Sequence, residues 1–374
     1  MSMKWAFWIA TILIAYTYVG YAAWLRLRAL WASRTVRRRA CQPSLSIVMV
    51  VRNEEEILPG KLSNLLELDY PAERCEIIVV SDGSTDGTEG ILGEHRPNPR
   101  LKFKINPVAQ GKAAGLNDAV EMARGEVIVF TDARQKIEAG AVRLLAENFA
   151  DPEVGCASGE LMLGDVSGEE TMGPGLYWKI EKKIRQLESA AGSVVGATGA
   201  LYAVRHGLLV PVPPGTILDD VYLPMHVVRL GARVVFDERA RAWDRPNLGT
   251  RREFGRKVRT LTGNYQLVQL APWLMTFQNP LWLEFISHKL LRLLVPFALA
   301  VTLGSAFFLA GPVYRLALAV QLAFYALGLL AMVPLRKGPL NRVTDAAFTF
   351  VVLNTAAVVA FANFVTGRKP VWLR

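Results

Sequence analysis

Charge is what this chain has least of. Only 20% of its 374 residues are Asp, Glu, Lys or Arg, against roughly a quarter in an ordinary soluble protein. A disordered chain has few apolar residues and high charge, so disorder is excluded. With 52% apolar residues, a wholly water-soluble protein is disfavoured as well. Cysteine is scarce too. Cys41, Cys75 and Cys156 show neither a pairing pattern nor metal-ligand spacing. They build no disulfide framework and suit a reduced compartment. His95, His206, His226 and His288 form no cluster. The chain has no repeat of fixed period and no low-complexity tract.

The apolar residues that are present are concentrated. Residues 5–25, 293–314, 316–335 and 346–367 are free of charge over 21, 22, 20 and 22 positions. A helix needs about 20 apolar residues to cross a bilayer. Buried core helices are the plainer alternative, but they are usually shorter, so four membrane spans are expected. The first run is too long for a signal peptide and no small-residue cleavage site follows it. Arg26, Arg28, Arg34, Arg37, Arg38 and Arg39 follow instead. Basic runs bind nucleic acid, but a run beside an apolar helix fits anionic headgroups better. Positive loops stay cytoplasmic, so the large middle region is expected inside. No nucleic acid is expected as a partner. Four spans would then put the tail, with Arg368, Lys369 and Arg374, outside, against the same charge rule.

The chain divides into an anchor and basic collar (1–40), a soluble domain (44–275), and an interfacial stretch with three further spans (276–374). Within the soluble domain, 45–51 (LSIVMVV) and 76–80 (EIIVV) read as strands buried on both faces. Residues 101–105 and 126–131 add two more strands. Residues 54–68 and 112–123 have helical spacing. Alternating strands and helices imply an α/β domain with a parallel sheet covered on both faces. Ligands of such sheets bind at the carboxyl ends of the strands. Arg52, Asn53, Glu54, Asp82 and Asp132 each follow a strand and fall on that edge. Residues 265–291 mix Trp and Pro with little charge and read as one or two interfacial helices, or as a last helix of the soluble domain. The helix over 177–189 carries charges of both signs, reads as a solvated or interfacial face, and is given no chemistry.

Seven segments run in order through the soluble domain: SIVMVVRNEEE, EIIVVSDGSTDGT, GKAAGLNDAV, VIVFTDAR, ATGALYAVR, ILDDVYLPMHVVRLGARVVF and GRKVRTLTGNY. Together they resemble the family 2 glycosyltransferases, the inverting GT-A group that includes the membrane-embedded cellulose and hyaluronan synthases. The resemblance spans about 44–269. It implies a GT-A domain that binds a nucleotide-sugar, a UDP-sugar foremost, and passes the sugar to a lipid-linked or polysaccharide acceptor at the cytoplasmic membrane of a bacterial-type cell.

By that resemblance Arg52, Asn53 and Glu54 line the nucleotide pocket and Asp82 accepts a hydrogen bond from the base. Lys112 approaches the donor phosphates, Asp132 is the first acid of the DxD metal motif, and Asp220, beside Asp219, is the general base. Arg256 and Arg259 pair with the diphosphate. The chemistry needs these types. Departure of a diphosphate is helped by Mg²⁺ or Mn²⁺ on carboxylates, and a carboxylate removes the acceptor proton. Two departures stand out. DxD is Asp132-Ala133-Arg134, with a cation for the second acid. The QxxRW motif of processive synthases is Arg256-Lys257-Val258-Arg259-Thr260, without Gln or Trp, which points to a short transfer. A non-catalytic nucleotide-binding subunit that regulates a polysaccharide synthase is the alternative.

Overall fold

The computed structural model describes residues 2–164, 176–244, 250–332 and 340–368; Lys369 and Arg374 of the tail lie outside them. The chain enters as one long helix, α1 (Met3–Trp31), continuous through a π-helical turn at Tyr16–Gly20. Then follow β1 (Leu45–Val51), α2 (Leu58–Leu66), β2 (Cys75–Asp82), α3 (Thr88–Glu94), β3 (Leu101–Asn106), α4 (Lys112–Met122) and β4 (Val127–Phe130). The second half of the domain adds β5 (Lys136–Ile137), α5 (Ala141–Glu147), β6 (Val154–Leu163), α6 (Leu176–Ala191), β7 (Tyr202–Arg205), α7 (Asp219–Arg229) and β8 (Arg233–Asp244). All strands join one sheet, in the order β3-β2-β1-β4-β7-β6-β8-β5.

The continuous apolar run of β1 is explained by burial on both faces. Ile47 and Met49 pack under α2 with Leu58, Leu62 and Leu65. Val48, one residue out of phase, packs on the other face with Ala113, Leu116 and Ala119 of α4. Side chains alternate across a strand, so a strand covered on both sides has no polar phase. Each such side chain contributes about 1.5–3 kcal/mol by burial. The expected helix over 54–68 begins only at Leu58, with Pro59 in its first turn. Residues 54–57 stay outside the helix as a turn at the sheet edge.

β1, β2, β3 and β4 run parallel, as expected. Beyond β4 the sheet becomes mixed. β7 is antiparallel to both β4 and β6, and β8 is parallel to β6. Two reversals restore the direction, so β6 and β8 end at the same edge as β1, β2 and β4.

The basic collar is partly turned inward. Arg34 meets Glu153 at 3.2 Å and Arg38 meets buried Asp237 at 3.4 Å. The Arg37 amide donates to Asp151. These arginines, read above as headgroup partners, strap the chain across the back of the sheet, because acids of the domain lie within reach. The helix over 177–189 also differs from its solvated reading. Within α6, Ile184 and Glu188 are buried, Ile184 against Tyr21 and Leu25 of α1.

Helix α8 (Thr250–Leu270) takes up the start of the expected interfacial stretch. Its Phe254, Leu261 and Tyr265 pack on Ala356 and Ala360 of α11 (Leu340–Val365). Among the described residues four helices are long and apolar enough to cross a membrane: α1, α9 (Trp282–Phe308), α10 (Pro312–Leu330) and the 343–365 part of α11. The second charge-free run, 293–314, therefore spans a helix break. Gly311 has φ +136° and Pro312 opens α10. Absence of charge marked the slab, but Gly-Pro marks the turn. α9 also begins eleven residues before that run, since Glu284, His288 and Arg292 on it find protein partners.

Phe130 ends β4, buried and stacked on Tyr202 of β7 at 4.6 Å and 9°. Phe130→Ala should cost about 3–5 kcal/mol, read as a lowered unfolding midpoint of the full chain in detergent. A loss below about 1 kcal/mol would mean that this pair does not bear on the core.

Candidate active site

The parallel strands place their ends on one edge, and the expected residues collect there. After β1 the chain turns at Asn53, a non-glycine residue with φ +55°. Asn tolerates this region because its side chain bonds locally. Its amide donates to Ser84 Oγ at 3.1 Å and its Oδ1 accepts the Thr85 amide at 2.7 Å. The Glu54 amide donates to Thr88 Oγ1, at the start of α3. The β1 turn and the SDGSTDGT loop thus form one unit. Arg52 is exposed on it. Burial pushes the Glu54 carboxyl up, with Asp86 and Asp132 adding to the rise and Arg134 opposing it.

Asp82 is 3% exposed. Its two oxygens accept the amides of Gln110 and Gly111 at 2.7 and 2.8 Å. It ties β2 to the loop that launches α4. Gly83 permits this approach. Its φ is +62°, and a Cβ there would lie 2.4 Å from the Ala109 amide nitrogen.

Lys112, the first residue of α4, is the hub. Its Nζ lies 2.9 Å from Asp132 Oδ1 and 3.3 Å from Asp219 Oδ1. Burial works against its charge, but Asp132 and Asp219 outweigh it and raise its pKa. The two neighbouring acids of α7 then divide. Asp219 is buried and also faces the Tyr202 hydroxyl at 3.4 Å. Asp220 is partly exposed, and its Oδ2 accepts the Gly199 amide at 3.2 Å. Burial and then Asp219 push the Asp220 carboxyl up to about 6, against the pull of Lys112.

Two residues that carry this edge were missed above. Asp244 ends β8, nearly buried, and pairs with Arg134; Gln135 donates to it at 3.3 Å and Arg256 Nη1 lies 3.9 Å away. It obeys the rule of an acid at a strand end, but nothing local in the sequence places β8 in the sheet. Lys61 of α2 is 4% exposed and supports the TDAR loop from below. Its Nζ donates to Thr131 Oγ1 at 2.9 Å and to the Gln135 carbonyl at 2.6 Å. Burial draws its pKa down to about 7. Its only signal was a lysine in an amphipathic helix. Arg256 reaches the edge through Asp244, and Arg259 lies one turn further along α8, partly buried.

A family model described as Glycosyl transferase family 2 matches residues 46–209. Among curated proteins, the poly-beta-1,6-N-acetyl-D-glucosamine synthase of Staphylococcus epidermidis is 27% identical over 210 residues, covering 53% of this chain and 49% of that protein. Its counterpart in Staphylococcus aureus (strain COL) is 25% identical over the same shares. The chain thus spans about half the length of the curated relatives it matches. A mannosyltransferase from Pyrobaculum calidifontis, solved with GDP-Man and Mn²⁺, shares the fold over 97% of this chain and 99% of that chain. Its TM-score is 0.76 at 21% identity.

The raised Asp220 carboxyl has a stability consequence. Its folded pKa of about 6 lies above the ordinary 3.8, so ionisation costs the folded state. That cost is absent below about pH 4 and complete above about pH 6. Asp220→Asn stays neutral throughout. It should unfold at a higher temperature than the parent above pH 6, by no more than about 3 kcal/mol, and converge with it near pH 4. An Asn variant less stable than the parent at about pH 8 would contradict the placement.

Proposed function

From a chain that carries a glycosyl transferase family 2 domain, we propose a membrane-bound inverting glycosyltransferase. It moves a sugar from a nucleotide-sugar, a UDP-sugar foremost, to a lipid-linked or polysaccharide acceptor. The observation that carries this is Lys112, bridging Asp132 and Asp219 within the reach of Asp220's field. A cation for the leaving diphosphate and a carboxylate with raised basicity stand side by side. The names of the relatives and of the fold neighbour support the sugar class and a nucleotide-sugar donor.

In this reading Arg52, Asn53, Glu54 and Asp82 line the nucleotide pocket. Lys112, Arg256 and Arg259 face the diphosphate as fixed charges. Asp220 takes the proton of the acceptor hydroxyl as that oxygen bonds the anomeric carbon and the bond to the diphosphate breaks. One displacement inverts the centre, by the geometry of a single in-line attack. Asp219 keeps Lys112 in place.

A divalent cation, Mg²⁺ or Mn²⁺, fits the residues present. Asp132 offers a carboxylate that is 41% exposed. Gln135 Oε1 and Asp244 Oδ1 are buried oxygens with no hydrogen-bond partner among the described residues. Among the described residues no three His, Cys, Asp or Glu side chains converge to hold a metal; Asp132 would hold the cation together with oxygens of the donor. Such an ion would neutralise charge on the leaving group. The four apolar helices support membrane residence. The basic residues after α1 favour a cytoplasmic face for the domain, in a bacterial-type inner membrane. The loss of Gln and Trp at 256–260 supports a short transfer rather than polymer extrusion.

Asp220→Asn tests the reading. Transfer should fall about 10²–10⁴-fold while UDP affinity stays within about twofold. In the parent, kcat/KM should rise with pH through about 6, where Asp220 loses its proton. A chain that binds UDP but transfers no sugar from any donor would be the regulatory subunit instead.

EDTA should abolish transfer and Mn²⁺ restore it. Asp132→Asn should weaken Mn²⁺ binding, followed by the EPR signal of the free ion, by about tenfold or more. Undiminished Mn²⁺ binding in that variant would remove Asp132 from the metal site.

A further inference from the structure

Helix α6 carries acids and bases that the proposed chemistry leaves unused; Glu188 is buried and Glu181 and Arg185 are half-buried. His288 of α9 is 1% exposed and wedged between two of these acids. Its Nδ1 lies 2.7 Å from Glu188 Oε1 and its Nε2 lies 3.0 Å from Glu181 Oε1. Both contacts are hydrogen bonds only when both nitrogens carry protons. Arg292, one turn along α9, donates to Glu181 Oε2 at 2.8 Å. Tyr21 of α1 donates to Glu188 Oε1 at 2.6 Å. Burial pushes both glutamates up, but His288 first, with Arg292 on Glu181, more than offsets this and holds both below the usual range.

The same face of α6 also grips the segment 193–199. Glu188 Oε2 accepts the Val195 amide at 3.2 Å, and Arg185 donates to Thr198 Oγ1. The same segment holds Asp220 at two points. The Ala197 amide donates to the Asp220 carbonyl at 2.6 Å and the Gly199 amide donates to its Oδ2. Glycines make this approach possible. A Cβ at Gly196, where φ is +89°, would lie 2.9 Å from Val221; one at Gly199 would lie 3.2 Å from Asp220 Oδ2.

We propose that α6 is a strut by which membrane helix α9, through His288 and Arg292, sets the position of the Asp220 carboxylate. The proposal rests on the glycosyltransferase reading for the role of Asp220. His288, Glu188 and Arg185 are positioning residues: they touch the segment or the strut, not the reacting atoms. A buried charge cluster is a poor source of stability but a strong source of register, since a shift of one partner leaves the others unpaired. Seating of α9 and readiness of the base are then one event.

The test uses the full-length chain in detergent, with His288→Gln and Arg185→Met. Hydrogen exchange of peptides covering 193–199 should speed by about tenfold or more, while β1 and β2 exchange as in the parent. UDP affinity should stay within about twofold, and kcat for transfer should fall about tenfold or more. Glu188→Gln, which keeps an acceptor for the Val195 amide, should lose less than Glu188→Ala. Unchanged exchange over 193–199 overturns the strut, and so does faster exchange with unchanged kcat. Loss of UDP binding in step with kcat also overturns it, since the effect is then on the whole fold. If the buried variants do not fold, Gly199→Ala, outside the cluster, must lower kcat by about tenfold with UDP binding intact; failure to do so sinks the proposal. A parent that transfers no sugar would refute the glycosyltransferase reading, while the exchange of 193–199 still decides the strut.

Discussion

Three elements meet on one ammonium group. Lys112 is the first residue of α4, Asp132 follows β4, and Asp219 opens α7. Without the lysine, three acids at 132, 219 and 220 would repel one another in a partly dry cleft, where opposed or like charges a few Å apart interact by several kcal/mol. With it, the cleft keeps its shape and still carries excess negative charge on Asp220. The other supports serve this point. Asp82 orders the loop that delivers Lys112, Lys61 holds the loop that delivers Asp132, and the Phe130–Tyr202 stack fixes the strand between them.

Much of this was legible in the sequence, for a local reason. A strand buried on both faces has no polar phase, so LSIVMVV and EIIVV declare themselves, and the polar residue that follows lies at the sheet edge by topology alone. Arg52, Asn53, Glu54, Asp82 and Asp132 needed nothing more. Lys112, Asp219 and Asp220 were legible only through order along the chain, as matches to family segments. The rest depends on pairing between distant strands. β7, β6 and β8 share the sheet through contacts 44 to 81 residues apart in the chain, and no short window encodes which strand reverses. Asp244 was invisible for that reason.

The charged helix α6 and part of the basic collar differ from their reading for the opposite reason. A mixed-charge helix is usually solvated, and a basic run beside an apolar helix usually meets lipid. Both priors assume that partners are solvent or headgroups. Here the partners are protein: Glu181 and Glu188 face His288 and Arg292, and Arg34 and Arg38 face Glu153 and Asp237. Complementary charges 100 or more residues apart are ordinary in composition and special only in space. The span boundaries erred similarly. Freedom from charge located the apolar slab, but Arg292 and His288 sit on the same helix because protein acids, not water, satisfy them.

The substitution of Arg134 for the second acid of the DxD motif is best understood with Asp244. A guanidinium two residues from Asp132 would weaken the cleft's hold on a cation if it stood alone. It does not stand alone: Asp244 pairs with it, nearly buried, while Gln135 and Arg256 crowd the same carboxylate oxygen. The acid absent from the loop after β4 is present at the end of β8. Asp244 offsets the charge of Arg134 in space, where the sequence alone shows only a cation. Among the described residues Asp244 Oδ1 has no partner in its buried setting, nor has Gln135 Oε1. Buried acceptors without donors are costly. The edge therefore keeps an anionic, oxygen-rich character beside Lys112 even though its most recognisable motif is broken.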